Sequence, residues 1–219
     1  MNNNELEFEQ TRLNQIVSKI NHSGFSRIAV ILEGRDSAGK SGTIRELTHY
    51  LPTVDYRVMT TNKPTKGQMA AWFSWWHNRL PNSNSPIISF YDRSWYSRAL
   101  VQYVNGWCTR KQYNFFMRNV AAFEDNNDAL IIKFWLSISQ DEQNARLSDR
   151  KTSLLRGWKY SNNDDMALSS YDKMTLAKEA LFNSQNQDWH VIDYNNKTKG
   201  RVALLKKLND ILSDIYDLN

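Results

Sequence analysis

Glu33-Gly-Arg-Asp-Ser-Ala-Gly-Lys-Ser-Gly-Thr43 is the stretch on which the fold turns. The apolar, β-branched segment 28–32 precedes it, and a helical pattern begins at Ile44. Strand, G-x-x-x-x-G-K-S loop and helix, in that order, predict a phosphate-binding loop. Gly34 and Gly39 free the backbone, so that successive N–H groups through Arg35, Ser37, Ala38, Gly42 and Thr43 can turn towards a phosphate. The helix N-terminus adds its partial positive charge. Lys40 can then reach a terminal phosphate, and the Ser41 hydroxyl suits Mg²⁺. A glycine-rich turn between strand and helix can also be only a turn. Asp36 argues for more, because a carboxylate inside the loop would repel phosphate unless a metal ion lay between them.

A second stretch, Ile87-Ile-Ser-Phe-Tyr-Asp-Arg-Ser-Trp95, is an apolar strand ending in an aspartate. In open α/β sheets ligands bind at the carboxyl ends of the strands, and a carboxylate there organises Mg²⁺ and its water. Asp92 could instead cap the helix expected from Trp95, but Ser94 is placed for that task. Arg93 would then face the phosphates or pair with a carboxylate. Lys63, in Thr60-Thr-Asn-Lys-Pro-Thr65, follows another strand and is stiffened by Pro64. It is read as holding a phosphate oxygen or an acceptor nucleotide, or else as solvated surface. Arg146, Arg150, Lys151, Arg156 and Lys159 fall close together in a polar segment that reads as a basic, partly mobile element above the sheet. Arginines on a closing segment position phosphates, offset charge and exclude water.

Strand segments at 28–32, 56–61, 86–91, 130–136 and 189–194 alternate with helical patterns at 5–22, 44–51, 67–80, 95–105, 109–125, 140–150, 165–183 and 197–217. This alternation predicts an α/β fold with a central parallel β-sheet and helices on both faces. A chain of 219 residues with 41% hydrophobic residues and eight tryptophans can bury a large core without disulfides. One domain over 1–219 is expected. The lone Cys108, the Met-Asn-Asn-Asn-Glu start and apolar runs too short for a bilayer point to a cytoplasmic protein with no membrane partner. The net charge of +5 favours polyanionic partners. Trp72, Trp75 and Trp76 sit at helical spacing, which suits a core or a subunit interface better than base stacking, so no nucleic-acid partner is expected.

With these motifs in view, Glu33 to Ile44, Lys63-Pro-Thr65, Tyr91-Asp-Arg-Ser-Trp-Tyr-Ser-Arg-Ala99, Gly106-Trp-Cys-Thr109 and Arg156-Gly-Trp-Lys159 resemble the polyphosphate kinase type 2 family in order and spacing. The likeness runs over essentially the whole chain. It implies a three-layer, thymidylate-kinase-like P-loop kinase fold with a helical lid at about 146–183. It also implies transfer, dependent on Mg²⁺ or Mn²⁺, between inorganic polyphosphate and a nucleotide, in a homodimer or homotetramer. The wording around Asp92 is similar to the subgroup handling nucleoside diphosphates, so ADP and GDP (ATP and GTP in reverse) are the expected nucleotides, with AMP as a further acceptor. Carried over, Asp36 and Asp92 would hold the metal with Ser41. Lys40 would hold phosphate, while Lys63, Arg93 and Arg98 would position phosphate groups. Arg146, Arg150, Arg156 and Lys159 would belong to the lid. Asp36, Lys40, Asp92 and Arg93 are thus the expected catalytic set. Ser41, Ser97, Ser153-Leu154 and Gly157 depart from the family pattern, Ser153-Leu154 and Gly157 bearing on the lid. Two other readings stand beside this one: an ATP-dependent nucleoside or nucleoside monophosphate kinase, and a non-catalytic polyanion-binding module.

Overall fold

A computed structural model describes residues 3–22, 26–153, 162–184 and 188–218. Five parallel strands form its sheet: β1 (Ile28–Gly34), β2 (Tyr56–Thr60), β3 (Ile88–Asp92), β4 (Leu130–Ser137) and β5 (Trp189–Asp193). Their spatial order is β2-β3-β1-β4-β5. β1 is buried at every position, as befits a central strand covered on both faces.

Because side chains alternate across a strand, β1 feeds two cores. Ile28, Val30 and Leu32 face one, where α1 (Asn3–His22), α2 (Lys40–Leu47) and α10 (Lys197–Ile215) pack through Leu13, Val17, Ile44, Leu47, Leu204 and Leu208. Ala29 and Ile31 face the other, an aromatic core of Trp72, Trp76, Tyr91, Trp95, Tyr96 and Phe116. That core is supplied by α4 (Trp72–His77), which the short, unburied α3 (Lys66–Ala70) precedes, by a 3-10 turn (Trp95–Arg98), α5 (Val101–Val104), α6 (Arg110–Asp125) and α9 (Tyr171–Phe182). The remaining helices, α7 (Gln140–Thr152) and α8 (Asn162–Ser169), follow β4. The result is the expected three layers.

All five strands fall where the hydrophobic pattern places them, while four helices differ, the one expected over 44–51 running Lys40–Leu47 because the loop turns into it directly at Gly39. The continuous helix expected over 67–80 breaks at Ala71, with φ −106° and ψ 41°. The Met69 carbonyl, which an unbroken helix would bond to residue 73, instead accepts from the Arg98 guanidinium at 2.5 Å. The helix expected over 95–105 is a tight 3-10 turn followed by a short α-helix. Residues 94–100 are all buried, and an α-helix with one apolar stripe cannot place seven successive side chains in a core. The segment 165–183 divides at Ser170 into α8 and α9.

The register fixes the site. Leu32 of β1 pairs with Asp92 of β3, and Thr60 of β2 pairs with the same aspartate. The chain leaves β1 towards α2 on one face and β3 towards the 3-10 turn on the other, so a crevice opens between these two strand ends.

Candidate active site

The loop after β1 closes through backbone geometry. Gly34 has φ +152°, and a Cβ there would lie 2.7 Å from the Leu136 carbonyl oxygen. Ser37 (φ 61°) and Gly39 (φ 116°) also take left-handed conformations, which turn the loop sharply into α2. Lys40 is buried and spans the loop, its Nζ donating to the carbonyls of Gly34 at 3.1 Å and Arg35 at 2.9 Å. Burial, with Arg93 nearby, pushes the Lys40 pKa down to about 8.

Arg93 follows β3 with φ 67°, a conformation that folds its side chain back over the loop. Its guanidinium meets the Asp36 carboxylate at 2.6 Å and lies 3.7 Å from that of Glu33. Glu33 is fully buried and accepts from the Ser94 amide (2.8 Å) and hydroxyl (3.0 Å), tying the two strand ends together. Burial pushes the Glu33 carboxyl upward, only partly offset by Arg93 and Lys40. Burial acts on Asp36 in the same direction, but Arg93 and Lys40 outweigh it and hold that carboxyl below its ordinary range. Ser94 caps the 3-10 turn by accepting from the Tyr96 amide, which leaves Asp92 free of that task. The Ser41 hydroxyl donates to Asp92 at 2.5 Å.

Two cavities meet here. The first, about 440 Å³, is lined by the loop from Asp36 to Gly42 and by Asp92, Arg93, Arg146 and Arg150. Arg45, Lys197 and Arg201 also line it, so seven cations face two carboxylates. The second, about 210 Å³, is lined by Lys63, Trp72, Trp75, Ser97, Gln102 and Trp107 among others. Asp36 and Arg93 line both.

Several expected phosphate ligands are placed otherwise. The Ala38 and Thr43 amides, expected to face phosphate, donate instead to Arg35 O at 3.2 Å and Gly39 O at 2.9 Å, and the Thr43 hydroxyl pairs with Tyr194 Oη at 2.9 Å. Arg98 lines neither cavity; only 2% exposed, it lies 4.6 Å from the Trp72 ring centre. Arg35 donates to Tyr171 O and to the Thr175 hydroxyl, with its guanidinium over the Tyr171 ring, and so fastens the loop to α9. Arg146 lines the first cavity, yet its guanidinium donates to Glu142 and to the carbonyls of Ser37, Ala38, Tyr194 and Asn195. It clamps the outside of the loop. Arg150 pairs with Asp164 at 2.7 Å. Arg156 and Lys159 lie outside the described residues, as does the departure at Gly157.

Arg45, Lys197, Arg201 and Glu33 were not singled out from sequence. The spacing held a signal for three of them: Arg45 stands four residues after Ser41, and Lys197 and Arg201 four apart at the start of the helix after β5, so each pair shares a face. Glu33 carries no such pattern.

The oxygen set of Asp36, Asp92 and Ser41, lining one cavity beside the phosphate-binding loop, fits a hard divalent cation that keeps most of its water. Among the described residues no group of three or more His, Cys, Asp or Glu is arranged as a protein-only metal cage. No described helix is long and apolar enough to cross a membrane.

A phosphate-binding loop opening α2, a carboxylate at the end of β3 and a five-stranded parallel sheet between two helical layers define a P-loop kinase. The profile of the family Polyphosphate kinase 2 (PPK2) matches residues 1–217, and the chain belongs to that family. It is 35% identical over 221 aligned positions to "NDP-polyphosphate phosphotransferase 3" of Ruegeria pomeroyi, covering 97% of this chain and 71% of that one. It is 34% identical to a "GDP-polyphosphate phosphotransferase" of Pseudomonas aeruginosa, covering 90% of this chain but only 56% of that longer protein. The crystal structure of Polyphosphate Kinase 2 from Arthrobacter aurescens superposes with a TM-score of 0.86 at 25% identity, over 96% of this chain and 77% of that one.

Proposed function

We propose that this chain is a single-domain polyphosphate:nucleotide phosphotransferase. In this reading it moves the terminal phosphoryl group of inorganic polyphosphate to a nucleoside diphosphate, forming ATP or GTP, and runs in reverse. The observation that carries the reading is that Asp36 and Arg93 line both cavities. One cavity is walled by cations and loop amides, which suits a phosphate chain. The other has tryptophan walls with Lys63 at its mouth, which suits a nucleoside whose phosphates reach the junction.

The transfer is in line and needs no covalent enzyme intermediate, so the protein's work is positioning and charge neutralisation. Loop amides and Lys40 hold the donor, while Lys63 steadies the acceptor. Arg93, held between Asp36 and Glu33, can exchange a carboxylate partner for phosphate oxygens as they arrive, which supplies charge where it develops. Arg150, in the segment 146–183 proposed as the lid, adds to this; Arg146 keeps the loop in shape. Mg²⁺ or Mn²⁺ held by Asp36, Asp92 and Ser41 would offset charge on the phosphates. A cytoplasmic homodimer or homotetramer, with no nucleic-acid partner, is part of the same proposal.

Purified protein with polyphosphate, Mg²⁺ and ADP or GDP is expected to form the triphosphate, and AMP is tested alongside as a further acceptor. Formation of no triphosphate would sink the reading, and phosphorylation of a nucleoside or monophosphate by ATP alone would replace it with an ordinary nucleotide kinase.

A further inference from the structure

Gln102 is fully buried on α5, and among the described residues neither its Nε2 nor its Oε1 has a hydrogen-bond partner. The Ser97 hydroxyl, also buried, lacks one too. Buried polar groups are almost always paired, so unpaired side chains on one wall need a reason. Both line the second cavity, whose other walls include Trp72, Trp75 and Trp107. Its volume of about 210 Å³ is below that of a typical drug-sized pocket, and it admits a flat heterocycle more readily than a whole nucleotide. Trp72 and Trp75 stack on each other, with Arg98 and Arg79 over their rings, so these indoles give the cavity an apolar wall that holds a base without choosing it. Choice falls to the polar groups.

A carboxamide carries a donor and an acceptor side by side, and a hydroxyl can do either. Adenine presents an amino donor next to a ring-nitrogen acceptor, whereas guanine presents a carbonyl acceptor next to an N–H donor. Gln102 matches either edge by turning its amide over, and no protein partner among the described residues fixes the amide one way. Resting on the acceptor reading above, we infer that Gln102 and Ser97 read the base edge of the acceptor nucleotide and admit adenine and guanine alike. A glutamate at the same place would only accept, which suits the two adjacent donors of guanine and opposes the ring nitrogen of adenine.

The test measures kcat/KM for ADP and for GDP at saturating polyphosphate. In the unaltered protein the two values are expected within about tenfold of each other. Gln102→Glu is expected to raise the GDP-to-ADP ratio by about tenfold or more, with KM for polyphosphate unchanged. Gln102→Met, which keeps the volume and adds no charge, is expected to lower both values by about tenfold, and it carries the test if the glutamate variant does not fold. An unaltered protein preferring one purine by more than about a hundredfold would overturn the inference while leaving the phosphotransferase reading intact. An unchanged GDP-to-ADP ratio in active Gln102→Glu protein, or unchanged values for both nucleotides in active Gln102→Met protein, would do the same. Absence of phosphorylation with any nucleoside diphosphate would take both readings down together.

Discussion

At Asp92 and Arg146 the same cavity makes opposite demands on a side chain. Asp92 makes a hydrogen bond with Ser41 and has no capping duty, so Asp92→Asn is expected to fold normally and lose turnover by about a hundredfold or more. Steady-state kinetics beside a melting curve decides this, and near-normal turnover would remove the carboxylate from the metal role. Arg146 works through the backbone, and its loss strips partners from carbonyls of the loop and of the segment after β5. Arg146→Ala should cost about 2 kcal/mol, a fall in Tm of roughly 4–8 °C, with Arg146→Lys rescuing little because an ammonium cannot span four carbonyls. This is where sequence legibility ends. An arginine that holds phosphate and one that holds a loop are the same letter, and only the count of donors already engaged separates them. Thr43, Ala38 and Arg98 escaped for a related reason, since a motif position does not say which amide or guanidinium the fold has already engaged.

Elements were easier to read than side chains. The three inner strands are short and apolar between polar breaks, a pattern with one solution when both faces are covered, while the edge strands β2 and β5 are short and half-exposed. The breaks at Ala71 and after Arg98 escaped the periodicity because a distant guanidinium, taking the Met69 carbonyl, decides the first and all-round burial decides the second. Gly200 shows another contact invisible in sequence. A Cβ there would lie 2.8 Å from the Asp193 carbonyl oxygen and from the Tyr194 ring, so Gly200→Ala forces α10 away from the end of β5. The expected result is a loss of about 1–3 kcal/mol in denaturant unfolding and a higher KM for polyphosphate, because Lys197 and Arg201 ride on that helix. On the opposite face Lys133 of β4 pairs with Glu124 of α6 at 2.8 Å in nearly buried surroundings, and Trp95 Nε1 donates to the same carboxylate. Lys133→Met, leaving the carboxylate uncompensated, is expected to destabilise by about 3–5 kcal/mol. Adding Glu124→Gln, which keeps an oxygen for Trp95, should restore most of it in the same unfolding experiment.

For the molecule as a whole, the net charge of +5 understates the field at the first cavity, where cations outnumber acids seven to two. Binding of a long polyanion to such a wall weakens with ionic strength far more than binding of a base between indoles. Raising salt is therefore expected to increase KM for polyphosphate several-fold while changing KM for ADP much less; parallel changes would speak against separate cavities for the two substrates. Removing divalent metal with a chelator is expected to abolish triphosphate formation, and Mg²⁺ or Mn²⁺ to restore it.

The charged wall also has a history in time. Its loop lies between residues 33 and 45, but Lys197 and Arg201 stand some 150 residues later on α10, which packs on α1 through Arg12–Asp210 and Asn209–Glu9. During synthesis the loop leaves the ribosome long before the cations that complete its cavity. Until α10 docks beside α1, a nascent chain holds only part of a phosphate site, so competence for a long polyanion waits on the packing of two helices far apart in sequence.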